Sequence, residues 1–141
     1  MNTQTVNPVP AGLPLRVGLW GAQLIVASIF LFGAYAKLLV PQPELARMIP
    51  WTADYSTTFV HGIGLVDLAG GLGILLPSLI RVAPGLTIPA ALGCAALQAF
   101  AIVFHLSRGE TMALVFNIPL LAMSVFVLWG RSRKARIEAR G

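Results

Sequence analysis

The stretch Val17-Gly-Leu-Trp-Gly-Ala-Gln-Leu-Ile-Val-Ala-Ser-Ile-Phe-Leu-Phe-Gly-Ala-Tyr-Ala36 holds twenty residues without one Asp, Glu, Lys or Arg. A helix rises about 1.5 Å per residue, so about twenty residues cross the ~30 Å hydrocarbon layer of a bilayer. Two further runs, Val82 to Ser107 and Thr111 to Gly130, are equally free of charge, and Tyr55 to Ile80 is interrupted only by Asp67. The reading is an all-α chain, an integral membrane four-helix bundle with spans at about 16–40, 57–77, 85–107 and 111–130. The 141 residues are 57% hydrophobic and 11% charged, against about 25% charged in soluble domains. One membrane domain, 15–131, uses most of this length. A Pro-rich lead at 1–14, expected to be disordered, precedes it and a basic tail at 132–141 follows.

The formal charge of +5 does not point to nucleic acid. Half of the ten basic residues, Arg131, Arg133, Lys134, Arg136 and Arg140, directly follow the last span, where basic residues fix topology and meet anionic headgroups. An even number of spans puts both ends on one side, with Arg16 and Arg81, against Lys37, Arg47 and Arg108 on the other. Seven against three places both termini in the cytoplasm of a multi-pass inner (plasma) membrane protein. The apolar run from Val17 exceeds the 7 to 15 residues of a signal-peptide core, so the first span is expected to stay in place. Cys94 is the only cysteine, which excludes an internal disulfide and reads as a packing residue.

Prolines mark the ends. Pro41 and Pro43 stop the first span and Pro77 the second, while Pro119 is expected to kink the fourth. Between the first two spans, Glu44 to Ile49 is expected to form a short surface helix, with Trp51 and Tyr55 as interfacial anchors. Trp20 and Trp129 match them at the other interface.

Polar residues inside the spans carry the functional signal. An ionised Asp at the centre of a membrane helix costs about 2.5 to 3.5 kcal/mol on insertion scales, so Asp67 requires a compensating role, as a proton carrier, a ligand anchor or half of a buried pair with Lys37 or a protonated His. His61, Gly64, Asp67 and Gly71 share a helical face, and the small residues around Asp67 let a neighbour approach, which points its carboxylate inward. Gln23 and Lys37 in span one, Gln98 and His105 in span three, and Glu110, Asn117 and Ser124 in span four recur at heptad multiples. Asp67, Gln98 and Asn117 fall near mid-membrane. Lys37, His61, His105, Arg108 and Glu110 fall toward the side away from the termini, giving an expected polar pocket open to that side. Taken singly, Gln23, Gln98 and Asn117 read more simply as interhelical hydrogen-bond groups worth about 0.6 to 2 kcal/mol each. For Arg108 and Glu110 the plainer reading is headgroup contact. A b-type haem between His61 and His105 is a weaker reading, and no spacing supports a metal site. No Gly-rich phosphate loop, nucleophile elbow or Ser-His-Asp order assigns a reaction.

Leu31-Phe-Gly33 through Lys37, Gly64-Leu-Val-Asp-Leu-Ala-Gly-Gly71 leading to Leu75-Leu-Pro77, Phe104-His-Leu-Ser-Arg-Gly-Glu110 and Trp129-Gly-Arg131 resemble the DoxX-like family of small four-span bacterial membrane proteins. The resemblance covers about Arg16 to Arg131. It implies a role beside thiosulfate:quinone oxidoreductase or another membrane assembly handling oxidative stress, with membrane or periplasmic redox subunits as partners. The acidic position usually filled by Glu in that family is Asp67 here, and the chain has no sulfur-handling dithiol. The expected function is an auxiliary subunit that binds a quinone-like amphipathic molecule, with Asp67 and His105 handling protons. A small-solute transporter, for which a homo-oligomer would build the pathway, and an assembly protein without ligand are the alternatives.

Overall fold

A computed structural model describes residues 9–141, and those residues contain helices and no strand. The first eight residues of the expected lead-in lie outside the described part. Helix α1, Leu13–Leu39, begins inside that lead, because Pro14 fits the first helical turn, where its missing N–H costs nothing. It ends where Val40 turns extended ahead of Pro41, as a residue before proline must. The short α2, Gln42–Met48, and a 3-10 turn at Pro50–Asp54 fill the connection to α3, Thr57–Ile80. Ser56 caps α3 by accepting from the Phe59 N–H at 3.2 Å.

Pro77 does not end α3 as the proline pattern suggested. The helix continues to Ile80 and stops at Arg81, whose φ of 59° is left-handed. One missing N–H is tolerated within a packed membrane helix where neighbours satisfy what it frees. Helix α4, Thr87–Ser107, follows a 3-10 turn at Pro84–Leu86. Helix α5, Leu114–Trp129, follows another at Thr111–Ala113 and passes into a π turn at Gly130–Lys134.

The four long helices form a ring in which α1 packs on α3, α3 on α4, α4 on α5 and α5 on α1. Glycines set the closest approach. A methyl at Gly71 would lie 2.8 Å from Leu31 Cγ and 3.2 Å from the Ala27 carbonyl oxygen, and one at Gly73 would lie 2.8 Å from Ala90 Cβ. The central core is Ala22, Val26, Ala27, Phe30, Ile74, Ala91, Cys94, Leu120 and Val127. Outward, Phe32, Leu65, Leu79, Phe100, Val103, Val115 and Phe116 are all more than half exposed. Such a continuous apolar exterior exceeds what a water-soluble monomer leaves bare. With four helices long and apolar enough to span, it makes the chain a multi-pass membrane protein surrounded by lipid.

Candidate functional site

Antiparallel packing of α1 and α3 brings Lys37 and Asp67 together. Lys37 Nζ donates to Asp67 Oδ2 at 2.8 Å. Both side chains are withdrawn from the surroundings, and Asp67 is 6% exposed. Gly33 makes the room: a Cβ there would sit 3.0 Å from Asp67 Oδ2 and 3.2 Å from Lys37 Nζ. Gly64 in turn lets the Lys37 stem pass, with its own Cβ position 3.0 Å from Lys37 Cβ. The glycines around these two charged residues thus form a seat for an ion pair, which lowers the cost of holding either charge in apolar surroundings.

Gln98 lies on α4 one turn beyond Cys94, whose sulfur faces Gly70, so the antiparallel register brings Gln98 level with Asp67. Its Oε1 is buried without a hydrogen-bond partner. Asn117 shares the inward stripe of α5 with Leu120 and Ser124, and its Nδ2 is also buried and unpartnered. One spare acceptor and one spare donor therefore accompany the ion pair inside the bundle.

A second cluster sits at the α4–α5 turn. Gly109, with φ of 71°, ends α4 in a Schellman arrangement: its N–H reaches the Leu106 carbonyl, and the Glu110 N–H reaches that of His105. That turn folds Glu110 back beneath the helix end, where its Oε2 meets His105 Nδ1 at 2.7 Å. Arg108 Nε donates to Glu110 Oε1 at 2.7 Å, and Arg108 Nη2 to Asp54 Oδ2 at 2.5 Å. The Glu110 carboxyl is held below the usual carboxylate range, first by the hydrogen bond from Arg108 and next by that from His105. Arg108 is shifted upward, first by Glu110 and then by Asp54. Trp51, Tyr55, Phe59 and Phe104 pack edge to face and stacked beside this cluster, and the Arg108 guanidinium lies 5.3 Å from the Phe104 ring centre.

The polar residues read from the sequence thus divide. Lys37 joins Asp67, and His105, Arg108 and Glu110 form one network. His61 departs from its expected inward face: it is exposed near the start of α3 and takes no part in either group. Glu110 leaves the heptad stripe of Asn117 and Ser124 because it lies in the turn before α5. Among the described residues no three His, Cys, Asp or Glu side chains converge as a metal site. Two cavities lie at the terminus-bearing end.

Three participants escaped the sequence reading. Asp54 is a polar residue of a loop with no periodicity to mark it. Gly33 shows its role only when the ion pair is in place. Arg131, one of five tail cations, is 4% exposed and donates from Nε to Gln23 Oε1 at 2.7 Å. Gln23 in turn donates from Nε2 to the Ile74 carbonyl at 2.7 Å, so a tail residue ties α1 to α3.

The model of the DoxX-like family matches residues 21–127. No curated protein and no solved structure matches the chain. The chain belongs to the DoxX-like family, and the match takes in Gly33, Lys37, Asp67, Gln98, His105 and Asn117.

Proposed function

We propose that this DoxX-like membrane protein is an auxiliary subunit of a quinone-linked redox or oxidative-stress assembly, and that it binds a small quinone-like amphiphile in the polar layer between its helices. One observation carries this reading: in the bundle that holds the Lys37–Asp67 pair, Gln98 Oε1 and Asn117 Nδ2 are buried without partners. Leaving a buried polar group unpaired costs about 1 to 3 kcal/mol. A quinone carbonyl accepts where Asn117 donates, and a quinol hydroxyl donates where Gln98 accepts. Asp67 and His105 supply groups that take and release protons in low dielectric. The chain's single buried thiol offers no dithiol couple, so the electrons come from a partner subunit.

Titration of the reconstituted protein with a short-chain ubiquinone tests this. Saturable binding of the quinone that weakens about tenfold in Asn117→Leu, and of the corresponding quinol that weakens about tenfold in Gln98→Leu, is expected, since each substitution removes one hydrogen bond to that form in an apolar site. Absence of saturable binding, or variants that bind as tightly as the unsubstituted protein, overturns it. Stability loss in Asp67→Asn without any quinone binding would leave an assembly protein.

The same proposal places both termini in the cytoplasm, on the seven-to-three division of basic residues across the two faces. Cys94 is buried, so introduced cysteines report alone. A membrane-impermeant maleimide applied to spheroplasts is expected to label Met112→Cys, and to label Ala139→Cys only after lysis. The reverse pattern inverts the topology.

A further inference from the structure

At the terminus-bearing end a cavity of about 240 Å³ is lined by Ser78, Pro84, Gly85, Ile88, Arg131, Arg136 and Ile137. We propose that this cavity is a binding site for a phosphate group, carried by an anionic lipid headgroup or by free phosphate, held between Arg131, Arg136 and the first turn of α4. This inference is independent of the quinone reading, which concerns other residues in the bundle interior.

Three observations converge on it. The guanidinium of Arg131 is fixed before any ligand arrives: Nε donates to Gln23, Nη1 donates to the Ala135 carbonyl at 3.2 Å, and the group stacks 5.0 Å from the Trp20 ring centre. Its Nη2 is nevertheless buried with no partner, a costly state for a charged donor and one that an anion relieves. Second, Pro84, Gly85 and Ile88 place the 3-10 turn that leads into α4 in the cavity wall. Its Leu86 N–H is held by the Ala83 carbonyl and the Thr87 N–H by those of Pro84 and Gly85, and no side chain caps the turn or the helix, so the combined helix still points its N-terminal end at the cavity. That end carries the positive pole of the helix dipole, which favours an anion beside it.

The third is charge. Arg16, Arg81, Arg131, Arg133, Lys134, Arg136 and Arg140 all lie at this end, and Glu138 is the one acidic side chain there. Every ion pair among the described residues involves Lys37, His105 or Arg108, at the ion-pair layer or beyond it. The cations here thus have no carboxylate partners among the described residues. The tail is also pinned over the cavity, since Arg81 Nε donates to the Glu138 carbonyl at 3.0 Å and the Arg140 N–H reaches the Arg81 carbonyl at 2.9 Å. Arg136, exposed and bonded to the Ser132 carbonyl at 2.9 Å, closes the rim. The cavity opens where headgroups lie, near Trp20 and Trp129.

The test uses the full chain in neutral detergent, titrated with phosphatidylglycerol or phosphatidylcholine and read by native mass spectrometry. Phosphatidylglycerol is expected to bind about tenfold more tightly than phosphatidylcholine, whose choline cation is repelled by the arginines, and Arg136→Ala is expected to remove most of that preference. Arg140→Ala serves as the control, being an equally basic tail residue whose side chain lines neither cavity at this end. Equal losses in the two variants, or no preference in the wild type, overturn the proposal in favour of diffuse attraction. Ile137→Trp, which fills the cavity without touching a charge, is expected to match Arg136→Ala, and unchanged binding there also overturns it. Inorganic phosphate added to the preloaded protein separates the sources. Displacement at millimolar concentration supports a site for the free anion, and retention of the Arg136-dependent lipid supports a headgroup site.

Discussion

Breaking the Lys37–Asp67 pair from one side should be far more harmful than removing it whole. At 2.8 Å and an effective dielectric of about 20, the attraction is about 6 kcal/mol. Burying each charge within the membrane costs up to about 3 kcal/mol on insertion scales, so the pair roughly cancels its own burial. Lys37→Met or Asp67→Asn forfeits the attraction while removing the cost of one charge only, a net loss of about 3 kcal/mol, within the range of about 3 to 5 kcal/mol expected for orphaning a buried partner. The double variant Lys37→Met/Asp67→Asn removes both costs with the attraction and should return to within about 1 kcal/mol of wild type. Equilibrium unfolding in mixed micelles, run as a double-mutant cycle, measures all four corners. Single variants within about 1 kcal/mol of wild type, or a double variant as unstable as the sum of the singles, would refute the coupling argued here.

The α4–α5 turn should loosen in acid. Because the folded-state carboxyl of Glu110 titrates below its ordinary range, its contribution is full above the ordinary carboxylate value and fades as pH falls through the lowered one. Hydrogen exchange at Gly109 and Glu110 should accelerate toward pH 3 beyond the intrinsic rate change, and Glu110→Gln should abolish that acceleration. An identical profile in the variant would show that another group governs the turn. Gly71→Ala should destabilise the bundle by about 1 to 3 kcal/mol through overpacking against Leu31. Gly62→Ala, where a methyl meets nothing within 4 Å, should be neutral or stabilising by up to about 1 kcal/mol. Thermal melts in detergent that rank the two variants the other way would count against the close approach of α1 and α3.

The spans were legible in the sequence because charge is so costly in hydrocarbon that a helix-length stretch lacking it marks a segment surrounded by lipid. Asp67 was legible for the same reason, as a cost requiring compensation. A buried pair with Lys37 was one of the options its sequence left open; which partner it took depended on the register of two helices, which glycines at 33, 64 and 71 set and which hydropathy does not encode. Proline punctuation misled at Pro77, since a helix packed in a membrane continues past one lost hydrogen bond. The basic tail reads in sequence as five equivalent cations. Only the ring of helices distinguishes Arg131, because its partner Gln23 lies 108 positions away. The Schellman turn at Gly109 is the intermediate case: its residues are consecutive, but their effect on Glu110 is a matter of three-dimensional direction.

Where α3 meets α4, a methyl on Gly70 would lie 2.9 Å from Cys94 Sγ and 3.1 Å from Phe30. Conversion of that thiol to a sulfenic acid adds an atom to the sulfur, and the surrounding contact has little room for one without parting the helices. Reactive cysteines are exposed and thiolate-rich, and this one is buried. Peroxide should therefore leave the cysteine of the folded protein chemically unmarked, and any thiol-based response to oxidants must be received elsewhere and transmitted to it.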